Sequence, residues 1–443
     1  MPAVTQRRRS LGGVIDLPAS LNGSAAVGGK RKSRQTLMVL SQTFAPDPAA
    51  AGQYMADVSR LMAARGHRVL VLTAKNGHDD PSVSYPDREE MDGIEVRRVP
   101  FASVGKRGLL PRAAAAMWFM VRCAFSALTT RDLSGLLVST SPPFIGVVAA
   151  AVARLRGIPF AYWAMDLNPD QLIALGKLSP GDFMTKVLAA VDRAVLRDAT
   201  SVIALDRFMA EKLRAKGCAA DKLVVLAPWA HDPPPTAAPR SSNPLRLGQG
   251  WDDKIVFLYS GNHTTSNPLS TILEAAKRLK HREDIHFAFV GGGAGKKEVE
   301  RFVSEPTVSN VTSLPYQPAG DLPISLPAGD VHLISLGNPM VGVIHPCKVY
   351  SAMATGRPVL YIGPGPSHVT DIIERYENGW HVHHDDVDET VAAIERIADL
   401  GPDRLEKSGR IGQQAIHNEF SMRQLCPRFC DELERRILNH ATN

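Results

Sequence analysis

Thr36-Leu-Met-Val-Leu-Ser-Gln-Thr-Phe-Ala-Pro-Asp-Pro-Ala-Ala-Ala-Gly-Gln-Tyr-Met-Ala-Asp-Val-Ser-Arg-Leu-Met-Ala-Ala-Arg-Gly-His-Arg-Val-Leu-Val-Leu72 decides the fold. Residues 37–40 are a continuous apolar run, as in a strand covered on both faces. A polar loop over 41–51 follows. From Gly52 a helix places Met55, Val58, Leu61 and Met62 on one face and stops at Gly66. The next strand, 68–72, begins at once. A strand, loop, helix and strand with a short return open a doubly wound α/β sheet.

The pattern continues with strands over 94–99, 136–139, 160–163, 201–204 and 223–226. Helices fall over 146–154, 183–197 and 208–216. Proline and polar residues then cluster from Pro228 through Asp232 and Pro233–Pro235 to Pro244, the composition of a linker. Beyond it the alternation restarts: strands at 254–260, 286–290, 311–314 and 331–336, helices at 269–279 and 296–303. Further helices fall over 389–398, 405–418 and 422–438. The implied layout is a basic tail (1–34), a first Rossmann-like domain (35–232), a linker (233–250), a second such domain (251–418) and a C-terminal helix (419–443). Ligands of such sheets bind beyond the strand C-termini. The loops 41–52, 260–268 and 338–348 therefore matter most.

Net charge is +6, yet residues 1–34 hold seven basic residues and one acid, and the other 409 hold 44 of each sign. The body is neutral, which argues against a nucleic-acid groove. The tail suits either a solubilising segment or contact with anionic lipid, at about 1 kcal/mol per near-surface cation. It lacks the apolar core of a secretory signal. No span reaches the ~20 apolar residues that cross a bilayer. The five scattered cysteines fit reduced thiols in the cytoplasm.

The most informative motif is Val343-Ile-His-Pro-Cys-Lys-Val-Tyr-Ser-Ala-Met-Ala-Thr-Gly-Arg-Pro-Val-Leu360. It reads as a loop, a helix over 347–354, a stop at Gly356 and a strand over 358–362. Lys348 in a first helical turn suits a diphosphate, and equally an ordinary surface lysine. Gly261, Asn262, His263, Thr264 and Asn267 after the strand at 254–260 offer close backbone approach and neutral donors. Gly291–Lys297 is one residue short of a P-loop and has Lys297 where Ser or Thr must bind Mg²⁺. It fits a tight turn. No Gly-x-Gly-x-x-Gly follows the first strand, which argues against a dinucleotide redox enzyme. Asp385–Asp388 beside His381, His383 and His384 reads as a helix N-terminus, not a metal site. Asp166, just past the strand at 160–163, suits a cleft-edge carboxylate or a turn residue. The apolar stretch 111–127, with Arg112 and Arg122, fits either a membrane-surface helix or a buried one.

Together these pieces resemble the GT-B glycosyltransferases of the large retaining family 4, above all bacterial cell-surface polysaccharide enzymes of the O-antigen and capsule type. The resemblance rests on 41–66 with its Gly-His ending, 164–170, 201–217, 257–279, 314–317 and 345–363 with Ser367 and Gly379. It runs from about residue 36 to the C-terminus. It implies two facing Rossmann-like domains with a C-terminal crossover helix. It implies a nucleoside-diphosphate sugar, UDP-linked, as co-substrate, with the base near Tyr316 and Gln317. Gly52, Gly261, Asn262, His263, Asn267, His345 and Lys348 would surround the donor. Asp166 and Lys348 would be the catalytic pair. The acceptor would be a glycan or polyprenyl-linked saccharide, transferred with retention. No metal is expected, and the location would be cytoplasmic, peripheral on the inner membrane face.

Two departures stand out. Relatives often carry two Glu eight positions apart where this chain has Val343 and Ser351. Their Arg and Lys after the second domain's first strand become Asn262 and Asn267. These losses keep open a non-catalytic sugar-nucleotide-binding role. A sugar-nucleotide epimerase is a further alternative.

Overall fold

Leu37, Met38, Val39 and Leu40 are fully buried, so strand β1 (Thr36–Leu40) lies inside its sheet. The computed structural model describes residues 35–78, 80–105, 108–230 and 239–439. The basic tail and the proline run 233–235 lie outside the described residues. The first sheet adds β2 (Arg68–Ala74), β3 (Arg88–Met91), β4 (Ile94–Val99), β5 (Leu133–Val138), β6 (Phe160–Trp163), β7 (Ser201–Ala204) and β8 (Leu223–Val225). Their order is β3-β4-β2-β1-β5-β6-β7-β8. All neighbours are parallel except β3, which runs antiparallel to β4. The sequence reading missed β3 because Arg-Glu-Glu-Met shows no apolar run. Asp92 and Gly93, both at positive φ, close this edge hairpin, and its charges suit an unpaired edge.

The second sheet contains β9 (Ile255–Ser260), β10 (Ile285–Val290), β11 (Val311–Leu314), β12 (Val331–Ser335), β13 (Val359–Ile362) and β14 (Gly379–Val382). Its order is β11-β10-β9-β12-β13-β14, wholly parallel. Strand order reverses at β1/β5 and again at β9/β12, and loops diverge there to leave a crevice. The short strand β14 and the helix His368–Tyr376 were not expected from sequence. Ser367 starts that helix through a reciprocal capping box with Thr370.

The C-terminal end of the expected linker 233–250 contains a short helix. Pro244 is not a breaker but the first residue of the helix Pro244–Gln249, capped by Asn243, which accepts from Leu245 N and Arg246 N. Arg246 is 0% exposed and meets Asp330 Oδ2 at 2.9 Å, while Arg240 holds Asp330 Oδ1 at 3.0 Å. This stretch is bolted to the second sheet.

The chain ends by returning to the first domain. After the helix Gly401–Ala415 and a wide turn, Ala230 N donates to Phe420 O (2.8 Å). The helix Met422–Leu433 then packs on the helix Ala50–Ala64. Arg65 meets Asp431 at 2.8 Å, and the Phe429 ring lies 4.1 Å from that of Trp163, centroid to centroid. Trp229 and Tyr54 complete the aromatic cluster. One continuous apolar core therefore links β1–β7 with this last helix.

Asp330→Ala would strand the buried Arg246 guanidinium. A loss of about 3–5 kcal/mol is expected, read as a lower midpoint in urea unfolding. Exposed pairs such as Arg410–Glu406 should cost less than about 1 kcal/mol when broken.

Candidate active site

Three loops meet where the two sheets present their strand ends. The first leaves β9. Gly261 turns the chain at φ +121, and backbone bonds Gly261 N→Val290 O (2.9 Å) and His263 N→Gly292 O (2.7 Å) tie it to the turn after β10. A Cβ on Gly291 would stand 2.0 Å from Gly261 O, and one on Gly293 2.1 Å from Asn262 Oδ1. The glycine run 291–293 thus exists for close loop packing.

The second loop leads into the helix Lys348–Ala354, whose first residue is Lys348. The helix spans only seven residues, so its dipole is modest and the positive charge here is chiefly that of the ammonium. Lys348 Nζ donates to Asn262 O at 3.3 Å and stands 4.9 Å from the Tyr259 ring centroid. Its arm crosses Gly261 so closely that a Cβ there would be 2.9 Å from Lys348 Cε.

The third loop leaves β6 in the first domain. Asp166 pairs with Ile344 as an isolated antiparallel bridge, and Leu167 N donates to Val343 O at 2.9 Å. Thr140 Oγ1 accepts from Asp166 N at 3.2 Å. Asp166 is half-buried, beside a small gap lined also by Thr140, Phe144, Tyr162 and Asp192. Burial pushes its carboxyl up to about 6, and nearby His345 pulls partly the other way. Cys347 approaches the Tyr54 hydroxyl across the same seam, and burial pushes its thiol up to about 12. An open cleft of about 300 Å³ lies alongside, at the β9/β12 crevice. Leu175 of the first domain lines it opposite Thr265, Asn338, His384 and Asp385 of the second.

Of the residues expected from sequence, Gly261, Asn262 and Lys348 are brought together, and Asp166 meets the same loop through Ile344. Tyr316 stands exposed with its hydroxyl donating to Gly292 O (3.3 Å), and Gln317 Nε2 donates to Pro315 O (3.1 Å). Both edge the second-domain loops. Gly52 is buried in the first turn of its helix, where a Cβ would be 2.8 Å from Phe44 N.

Three expected contacts are turned elsewhere. His263 is fully buried with Nδ1 3.2 Å from Gly292 O and its ring beside Tyr259. Burial holds it down at about 4, so it is neutral and supports its loop. The Asn267 amide, oriented to satisfy its neighbours, donates to Ser335 O and Ser266 O, both at 3.1 Å. His345 points into the domain seam, with Nδ1 2.7 Å from Asp206 Oδ2 and Nε2 3.0 Å from Tyr350 Oη. Of the departures, Val343 is buried with its carbonyl engaged, while Ser351 is exposed one turn from Lys348. Asp386 caps the helix Val387–Ala398, and His381 and His384 bond backbone carbonyls.

Sequence reasoning missed Tyr54, Thr140, Asp206 and Cys347. Each owes its place to contacts across the chain. Only Asp206 carried a local signal, an Asp directly after an apolar strand and before a helix.

The Glycosyl transferase 4-like domain matches residues 49–229, and Glycosyl transferases group 1 matches 254–399. The chain belongs to the GT-B glycosyltransferases of family 4. It is similar to the putative colanic acid biosynthesis glycosyl transferase WcaI of Escherichia coli, with 25% identity over 72% of this chain and 81% of that protein. With the probable glycosyltransferase WbjE of Pseudomonas aeruginosa it shares 22% identity over 87% of this chain and 94% of the other. Among solved structures, Anabaena HepE in complex with UDP and glucose superposes with a TM-score of 0.69 at 14% identity, over 90% of this chain and 100% of that one. WaaG, a glycosyltransferase involved in lipopolysaccharide biosynthesis, gives 0.64 at 16%, over 89% and 98%. The transferase thus shares its architecture with enzymes of very different sequence.

Asp166 in the folded transferase holds its proton more tightly than the ordinary ~3.9 of an unfolded chain. Folding is therefore penalised as pH rises from about 4 to 6, and fully above that. Asp166→Asn should raise unfolding free energy by about 2 kcal/mol at pH 7.5 and by little at pH 4, measured by urea titration at both. Equal effects at the two pH values would contradict the assigned shift.

Proposed function

We propose that the transferase moves a sugar from a UDP-sugar to a glycan or polyprenyl-linked saccharide in cell-surface polysaccharide synthesis, with retention. The observation that carries this reading is the Lys348 ammonium lying across Gly261, on a loop paired backbone to backbone with Asp166 of the facing domain. The complexes of HepE with UDP, and the names of WcaI and WaaG, support the donor and pathway class.

The diphosphate would lie against Gly261, Asn262 and Lys348, with the base towards Tyr316 and Gln317 and Gly52 closing from the first domain. As the glycosidic C–O bond breaks, charge builds on the leaving phosphate oxygen. Lys348 meets that charge, in the role a metal plays elsewhere, and no metal is called for. The acceptor oxygen bonds the anomeric carbon on the face the leaving group vacates, and its proton passes to the leaving diphosphate. Asp166 aligns a hydroxyl at the reacting sugar. A carboxyl titrating near 6 accepts hydrogen bonds at neutral pH.

Replacement of both family carboxylates, one by the buried Val343, favours a second reading, a binding protein without turnover. Calorimetry with UDP- and GDP-sugars, followed by assay with lipid-linked saccharides, separates the two. Lys348→Ala should weaken UDP affinity about tenfold or more. Asp166→Asn should leave affinity within about twofold and lower turnover about 10²–10⁴-fold. Binding without turnover supports the second reading, and absence of both abandons the donor assignment.

The acceptor class implies work at the inner membrane face. Among the described residues no helix is long and apolar enough to cross a membrane. The helix Leu109–Thr129, which the sequence left between buried and membrane-facing, has one buried face and one exposed apolar face. Phe119, Cys123 and Ala127 face the core, while Met117, Val121, Phe125 and Leu128 form an exposed stripe. Val147 and Leu155 on the adjoining helix Gly146–Arg156 extend it, as do Phe183, Met184 and Val187 on the helix Phe183–Asp198. The first of these helices carries two arginines and no acid, which suits anionic headgroups. Co-sedimentation should be stronger with phosphatidylglycerol-containing vesicles than with pure phosphatidylcholine, and should fall sharply in Val121→Glu/Phe125→Glu. Absence of binding by the full chain ends the membrane part alone.

A further inference from the structure

Asp206, His345, Tyr350 and His368 form a buried chain of hydrogen bonds across the domain seam. His345 Nδ1 is 2.7 Å from Asp206 Oδ2, His345 Nε2 3.0 Å from Tyr350 Oη, and Tyr350 Oη 2.9 Å from His368 Nε2. Asp206 follows β7 in the first domain and caps the helix Arg207–Ala215 by accepting from Met209 N at 2.8 Å. The other three residues belong to the second domain. Burial would raise the Asp206 carboxyl, but the hydrogen bond and charge of His345 outweigh it and keep the group below its ordinary value. Burial keeps His368 neutral and Tyr350 protonated. His345 Nδ1 then donates to the Asp206 carboxylate, and the Tyr350 hydroxyl bridges His345 and His368.

This chain sits at the root of the loop that builds the site. Ile344, one residue before, pairs with Asp166, and Lys348 stands three residues after. Two contacts reinforce the seam nearby. Gly342 lies so close to the first domain that a Cβ would be 2.6 Å from Phe208 O. Arg207 grips Asp371 with two bonds of 2.6 and 2.9 Å. Neither touches the stretch 343–347 itself. Between residue 342 and the helix two side chains reach the facing domain: His345, held by Asp206, and Cys347, at the Tyr54 hydroxyl.

We infer that His345 is a positioning residue: held by Asp206 on one domain and Tyr350 on the other, it fixes the loop that sets Lys348 against Gly261 and Ile344 against Asp166. It needs no contact with the donor. The inference rests on the reading of Lys348 as the diphosphate-binding cation. It differs from a general packing role in one respect, because its effect on nucleotide affinity must pass through Lys348.

The test is a thermodynamic cycle on UDP affinity, measured by calorimetry in four forms: the full chain, His345→Ala, Lys348→Ala and the double variant. His345→Ala should weaken UDP about tenfold when Lys348 is present and less than about twofold when it is absent. Equal factors in both backgrounds would overturn the inference, as would no effect in either. Asp206→Asn, which keeps the helix cap, should reproduce the His345 result. A second measurement needs no nucleotide. In the ligand-free protein, exchange of the Leu167 amide, bonded to Val343 O across the seam, should speed up about tenfold in His345→Ala. Unchanged exchange in a folded variant sinks the clamp even if UDP does not bind at all, so the two readings fail separately. Since Asp206, His345 and His368 could also gather round a cation, Zn²⁺ alone is the remaining arm. A melting shift with Zn²⁺ that His345→Ala abolishes would make this a metal site and displace the inference.

Discussion

The pairing of Asp166 with Ile344 is the contact on which the site depends. Each doubly wound sheet exposes its functional loops only along the edge where its strands end. Two such edges make a shared chamber only if something sets their distance. A backbone bridge does this without regard to side-chain identity, reinforced by Leu167 N to Val343 O and by the Asp206–His345 pair. The carboxylate at Asp166 and the ammonium at Lys348 are therefore placed by main-chain geometry. Their side chains remain available for chemistry.

The second-domain loops also meet one another closely. Asn262 offers its carbonyl, and Lys348 comes to it from the start of a different helix. Ser351, one helical turn along, presents an exposed hydroxyl. Tyr259 and Gly261 shield one side of Lys348 from solvent, which strengthens the contacts it makes there.

Much of the fold was legible because it follows from local rules. Leu37–Leu40 and Phe257–Tyr259 are apolar runs that fit only central strands, and Gly66 and Gly356 end helices at positive φ. What escaped notice lacks such signals. Strand β3 is charged, Pro244 resembles a linker residue until Asn243 is seen to cap it, and β14 is short and half polar. The site divides in the same way. Gly261, Asn262 and Lys348 could be picked out from strand ends and helix starts. The inward turn of His263 and His345 could not, because a loop histidine reads the same whether it faces a ligand or a neighbouring carbonyl. Its direction is set by residues 29 and 139 positions away in the chain.

The return of the helix Met422–Leu433 to the first domain has a consequence for how such proteins diversify. Its Phe429 seals the Trp163–Trp229 cluster beneath the strand that leads to Asp166. The last stretch of the chain is therefore part of the first domain's interior. Exchange of donor-binding halves between relatives cannot be a single cut near the linker. A working chimera needs two crossovers, one after β8 and one before Ser421, so that the closing helix stays with the core it was shaped to fill.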